Sequence, residues 1–236
     1  MQWQDQCIIL STRSFSENSR IVSVFNKSLG KTSGLLRGLK QSVQLGDIAS
    51  VAWRGRNNDS LGTLSVENLF SSFAFLFNNP LEILAIESAC TLCLYGLPEK
   101  APHEQLFESM KTLLLKLTQK GWLSAYVDFE LQFLAEVGLG LDLSKCAVTG
   151  KKEGLFYISP KTGKAVIEEV GEKYKDRLFI LPQFLLKKTD STISDILCAL
   201  QITEHFLKMY FCGISSKDLP LSRSYLIEAL SAEELK

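Results

Sequence analysis

Cys90 and Cys93 stand two residues apart, the spacing of half a zinc site, and are the most obvious candidates for chemistry in this sequence. No second cysteine pair follows at zinc-finger spacing, and the two histidines, His103 and His205, are isolated. The pair also sits in a strongly helical apolar pattern that begins near Ile83, which reads as buried core cysteines. The other four, Cys7, Cys146, Cys198 and Cys212, are scattered through apolar segments, unlike the disulfide framework of a small secreted chain. Nucleophilic catalysis has no clearer footing, because neither histidine stands in a recognisable nucleophile context. Gly34 and Gly38 do not form a phosphate-binding loop: there is no G-x-x-x-x-G-K-[ST] and no G-x-G-x-x-G after a strand. Carboxylate pairs such as Glu168-Glu169 and Glu233-Glu234 read as solvated surface. The expectation is a non-enzymatic protein with no catalytic residue, no metal and no cofactor.

Charge says more. The 236 residues hold 26 Lys and Arg against 26 Asp and Glu, which argues against a uniformly basic nucleic-acid coat. The charges are nevertheless segregated. Arg13, Arg20, Lys27, Lys31, Arg37, Lys40, Arg54 and Arg56 are opposed within their window only by Glu17 and Asp47, a local excess of six. Such a face can track a phosphate backbone, each Lys or Arg releasing condensed counterions. The same window fits an ordinary solvated face equally well from charge alone. Phe15, Phe25 and Trp53 could offer bases a stacking surface, although the alternation around Phe25 and Trp53 favours the core.

The elements that position these residues change character near residue 79. Before it, apolar and β-branched runs at 6–10, 20–25, 32–38, 48–54 and 61–67 alternate with turns, one of them at Gly30 and another at 55–59. Five short strands in about 70 residues suit a small closed barrel, which leaves no exposed edges. Asn79 and Pro80, with Glu82 three residues after the cap, open a helix to about residue 97. Further helices are expected at 103–121, 124–137 and 194–212, with Ser222 capping a short last one. Residues 144–178 interrupt them with a strand, a Ser159-Pro160-Lys161-Thr162-Gly163 turn and a second strand, an inserted β-hairpin. The helical part is acidic and rich in Leu and Phe. It is either a scaffold or the wall of an apolar groove, with Lys187 and Lys188 as a candidate basic rim. With 46% hydrophobic residues the chain can bury a core, and no apolar run is long enough to span a membrane. Residues 1–5 lack the basic and apolar regions of a signal peptide, so a soluble cytosolic protein is expected.

The stretch Ile9-Leu10-Ser11-Thr12-Arg13-Ser14-Phe15-Ser16-Glu17-Asn18-Ser19-Arg20-Ile21-Val22-Ser23-Val24-Phe25, followed by Gly30-Lys31 and Gly34-Leu35-Leu36-Arg37-Gly38, resembles the N-terminus of the RecO family. The order of elements agrees over nearly the whole chain. The resemblance implies an α+β protein. It implies an N-terminal five-stranded OB-fold β-barrel at 1–78 that binds DNA. An α-helical domain follows at 79–236, with an inserted zinc-finger-like hairpin at about 144–178. It further implies a bacterial cytoplasmic, nucleoid-associated recombination mediator in DNA repair. Such proteins bind single- and double-stranded DNA, anneal complementary strands and help load RecA together with RecR. They also recognise the C-terminal tail of single-stranded DNA-binding protein.

Arg13, Arg20, Lys31 and Arg37 match the family's basic N-terminal pattern; Lys40, Arg54 and Arg56 join them on charge and strand position. Arg20 stands near Glu17, a spacing that also fits a structural ion pair. One departure concerns zinc. Many members carry four cysteines in the insertion, whereas here Cys146 stands at the first ligand position and Thr149 at the second, with no cysteine following before Cys198. A lone thiolate does not complete a tetrahedral site, so no zinc is expected and Leu155, Tyr157 and Val166 must hold the hairpin by packing. Two other readings stay open: a non-enzymatic RNA-binding OB-fold protein, and a protein–protein adaptor whose basic face is incidental.

Overall fold

The computed structural model describes residues 1–38, 43–57, 60–71, 79–187, 189–214 and 218–235. The chain forms two compact units, one of residues 1–120 with 220–223, the other of residues 121–219 with 224–236.

In the first unit, strands β1 (Gln2–Ser16), β2 (Ser19–Asn26), β3 (Gly30–Arg37), β4 (Ile48–Arg54) and β5 (Thr63–Phe70) close a barrel in the order β1-β2-β3-β5-β4. All neighbours are antiparallel except β3 and β5. Period-two alternation turns Cys7 and Ile9, Val22 and Val24, Ala49, Val51 and Trp53, and Leu64 and Val66 into one interior cluster. The expected run 6–10 is only the middle of β1. The strand extends to Ser16 through Thr12 to Ser16, all exposed, whose ladder bonds need no apolar pattern. A bulge between Ile9 and Ser11 shifts the alternation midway along it.

Helix α1 (Pro80–Gly96) is buried on most of its circumference and lies against β1, where the Cys90 thiol faces the Ile9 carbonyl oxygen at 3.6 Å. The capping expectation at Asn79 fails in one respect. Pro80 does open the helix, but the Asn79 side chain makes no cap bond, and its backbone carbonyl accepts from Ile83 N–H instead. Helix α2 (Glu104–Lys116) starts one residue after His103 and ends short of 121. It sets Phe107 edge-on to Phe25 at 5.6 Å. Cys90 and Cys93 are wholly buried, and burial pushes both thiols up, away from the ionised form that metal binding or redox exchange needs.

Asp47, just before β4, is a buried carboxylate. It accepts from Gln44 N–H at 2.8 Å, Asn68 Nδ2 at 3.3 Å and the Ser71 hydroxyl at 2.5 Å. Burial raises its pKa, and the bonds from Ser71, Gln44 and Asn68 only partly oppose this. A folded-state pKa above the unfolded one contributes stability that is complete below the ordinary carboxylate range and is lost as pH rises through the raised value. Asp47→Asn can keep all three contacts with a neutral group. Between about pH 4 and about pH 7 its unfolding free energy in denaturant should therefore fall less than that of the native protein.

The second unit pairs α3 (Trp122–Glu136) with the long helix from Ile193 to Ile214, stacking Phe133 on Phe211 at 6.3 Å. Inside this helix pair the buried Glu130 accepts the Thr203 hydroxyl at 2.5 Å. The expected hairpin is present as β6 (Leu155–Ile158) and β7 (Ala165–Ile167), with Leu155, Tyr157 and Val166 buried. It gains a third strand, β8 (Phe179–Ile180), on the other edge of β6, too short to leave a pattern in the sequence. His205 Nε2 donates to the Pro160 carbonyl at 3.0 Å and fixes the hairpin turn. The last helix runs from Leu221 to Glu234, so Ser222 lies inside it rather than capping it.

Candidate nucleic-acid interface

Past the barrel interior, β1, β2 and β3 continue together as a three-stranded tongue. Its register places Arg13 opposite Ile21 and Ile21 opposite Leu35; Arg20 lies between Ser14 and Leu36, and Arg37 lies opposite Ser19. Successive side chains alternate between faces, so Arg13 and Arg37 share the outer face with Ile21 and Leu35. Arg20 has the parity of Val22 and Val24 and belongs to the opposite face.

The outer row continues around the barrel. Leu35 pairs with Thr63, and Thr63 with Arg54, so Arg13 and Arg54 end one lateral row that crosses all five strands. Four interstrand steps make that row roughly 19 Å long. Arg13 and Arg54 are exposed at its ends, Arg37 is exposed on the same face two positions beyond Leu35, and Arg56 is exposed in the turn just after β4. Arg54 reaches Gln2 Oε1 at 3.3 Å. Among the described residues, none of these arginines takes part in an ion pair; nor does Arg20, so it forms none with Glu17.

Two other basic residues of the window, Lys31 and Lys27, make contacts within the fold. Lys31 also lies on the outer face, but at the barrel's other end, and donates to the Leu94 carbonyl of α1 at 2.6 Å. An ammonium there satisfies a helix C-terminal oxygen. Lys27 bridges Glu104 at 3.4 Å and Glu108 at 2.9 Å on α2. Glu108 holds the Lys27 ammonium above its usual value, and Lys27 holds the Glu108 carboxyl below its own. Lys40 lies outside the described residues.

The aromatic candidates separate as sharply. Phe25 is fully buried and Trp53 is 4% exposed, its ring parallel to that of Trp3 at 6.1 Å and its Nε1 donating to the Leu61 carbonyl at 3.3 Å. Phe15 is 61% exposed. Arg13 also lines a cavity of about 480 Å³, with Ile21, Trp3 and Leu61 among its apolar walls and Lys100 beside it. Lys100 escaped the sequence reading because it stands in a loop between helices, with an ordinary Glu-Lys neighbourhood. Among the described residues it is the one non-glycine with a left-handed backbone, φ +57°, and its N–H donates to the Lys31 carbonyl at 2.9 Å.

In the inserted sheet the donor set does not fit zinc. Cys146 is buried, and among the described residues no three Cys, His, Asp or Glu side chains are grouped to hold a metal. Burial by itself would raise this thiol. Hydrogen bonds from the Thr149 hydroxyl and from the backbone at Thr149, Ile167 and Val148 outweigh that and bring it down to about 7. The turn is closed by Gly150 N–H on the Cys146 carbonyl at 2.9 Å. Thr149, at the second ligand position, thus supports the sulfur through a hydrogen bond.

Comparison with known proteins covers nearly the whole chain. Residues 1–73 match the family model described as Recombination protein O N terminal, and residues 78–212 match Recombination protein O C terminal. A "DNA repair protein RecO" from Cereibacter sphaeroides is 35% identical, covering 98% of this chain and 99% of that protein. The protein of the same name from Rhodospirillum centenum is 33% identical over 97% of this chain and 94% of its own length. One from Phenylobacterium zucineum is 34% identical, with 98% of each chain covered. With both halves matched and full-length relatives above 30% identity, the chain belongs to the RecO family.

Proposed function

We propose that this chain is a DNA-binding recombination mediator in bacterial DNA repair, without enzymatic turnover. It binds single- and double-stranded DNA, anneals complementary strands and, with RecR, helps load RecA on DNA coated by single-stranded DNA-binding protein. We read residues 1–78 as the DNA-binding domain and the barrel order β1-β2-β3-β5-β4 as that of an OB-fold. Residues 79–236 are read as the helical domain, with a zinc-free, zinc-finger-like insertion. The observation that carries the reading is the outer face, where Arg13, Arg37 and Arg54 stand exposed and without ion pairs on a barrel of a RecO family member. No helix among the described residues is long and apolar enough to cross a membrane. The proposed place of work is the nucleoid in the cytoplasm.

The mechanism is electrostatic and positional. Guanidinium groups on a rigid sheet hold phosphates, leaving base edges free to find their complements. If about four to six phosphates are neutralised, affinity drops by roughly two to three orders of magnitude between about 50 and 200 mM salt. The acidic tail of single-stranded DNA-binding protein brings the mediator to coated strands.

An annealing assay with complementary oligonucleotides coated by the cognate single-stranded DNA-binding protein tests this directly. Native protein should accelerate annealing, and a coat protein lacking its C-terminal tail should abolish most of that acceleration. No acceleration by the native protein refutes annealing. Preferential capture by competitor RNA would favour the RNA-binding alternative, and acceleration indifferent to the tail would remove that partner.

A further inference from the structure

Phe15 stands at the tip of the tongue with most of its ring in water, in a strand otherwise polar from Ser11 to Ser16. An isolated exposed phenylalanine on a surface needs no explanation. The backbone that presents this one is built. The second register shift of β1 falls between Ser14 and Ser16, so Phe15 is the residue left out of the ladder, a bulge of the kind that re-aims a side chain. The tip beyond it is closed rather than frayed. Ser16 pairs with Ser19, their hydroxyls 2.5 Å apart, and Gly38 N–H holds the Asn18 carbonyl at 2.8 Å.

The charge around the ring selects its partner. Arg13 is two positions back along the strand, Arg20 is paired with Ser14 and Arg37 with Ser19, and Glu17 is the acidic residue at the turn. Two positions along a strand cover about 7 Å, close to the span from a phosphate to the base it carries. A π-face flanked by guanidiniums suits an unpaired nucleobase on an anionic backbone better than an apolar peptide, which would leave the cations unused.

We infer that Phe15 is a base-stacking residue: its ring stacks on an unpaired base of a DNA strand whose backbone is held by Arg13 and Arg37. The inference rests on the DNA-binding reading above and adds to it a preference for single strands, because duplex bases are already stacked on one another. Stacking on an aromatic side chain is insensitive to base identity, so no sequence preference follows.

The test is fluorescence anisotropy with the full-length native protein and Phe15→Ala, Phe15→Leu and Phe15→Trp, against labelled oligo(dT) and an abasic strand of equal length. Because the ring is exposed, all variants should keep the native melting curve. Phe15→Ala and Phe15→Leu should both weaken oligo(dT) binding about tenfold, with Phe15→Trp restoring it. The salt slope and the affinity for the abasic strand should be the same for all four proteins. Native-like oligo(dT) affinity in Phe15→Ala overturns the inference and leaves DNA binding to the cationic residues alone. Recovery by Phe15→Leu also overturns it, since bulk rather than stacking would then suffice. Failure of the native protein to bind either strand would defeat the DNA-binding reading itself, and the inference with it.

Discussion

Replacing Arg13 and Arg37 together by glutamate is expected to weaken single-stranded DNA binding about hundredfold at moderate salt. Each phosphate contact on a single strand contributes about 0.7 to the slope of log affinity against log salt. Two lost contacts should therefore flatten the slope by about 1.4 and account for roughly 25-fold at about 0.1 M salt. Repulsion from the two new carboxylates supplies the remainder. Both residues are exposed and free of ion pairs, so the fold should be unaffected. Lys27→Gln makes the informative comparison. It lies in the same basic window, yet its charge is held by Glu104 and Glu108, so its loss should leave the salt slope unchanged. Equal slopes for the native and doubly reversed proteins would move the DNA away from this face.

The largest expected effect on folding is at Gly30, the first residue of β3 after the turn from β2. Its φ is +74°, and an added Cβ would lie 1.9 Å from the Ala101 carbonyl oxygen. That neighbour is backbone, held in place by the Lys31–Glu99 bridge and the Lys100 N–H bond to Lys31. Asn26 adds to the constraint by donating to the Gly30 carbonyl at 2.8 Å and the Thr32 hydroxyl at 2.7 Å. Gly30→Ala therefore combines a left-handed backbone penalty of about 1–2 kcal/mol with a forced backbone displacement of about 1–3 kcal/mol. A loss of about 3–4 kcal/mol should lower the melting temperature by about 10 °C. Gly38→Ala separates the two contributions. Its φ is +87°, but nothing lies within 4 Å of the added atom, so only the backbone penalty should appear. Equal melting temperatures for the two variants would contradict the close approach at Ala101.

Much of the architecture is written in short-range pattern. Alternation locates all five barrel strands, and the change of period at Asn79-Pro80 marks the first helix to within a residue of its start. What the pattern omits is whatever depends on pairing. The polar end of β1 leaves no hydrophobic signature, and the bulge after Ile9 shifts the alternation that decides which face Arg13 shares. Arg20 looks equivalent to Arg13 and Arg37 in sequence and falls on the other face. Lys31 looks free for DNA, but it meets a carbonyl 63 positions away, a contact that no local window contains. The aromatic residues follow the same logic. Phe25 and Trp53 sit in alternating runs and are buried, whereas Phe15 sits where alternation has stopped.

The first compact unit is discontinuous in sequence: residues 1–120 are completed by residues 220–223, where Arg223 is buried. On a ribosome the barrel and its two helices emerge about a hundred residues ahead of that last piece, which at roughly 5–20 residues per second is a wait of roughly 5–20 s. The first unit therefore passes through a nascent state that has all five barrel strands but lacks residues 220–223. A stop codon between codons 121 and 220 would make that transient state permanent.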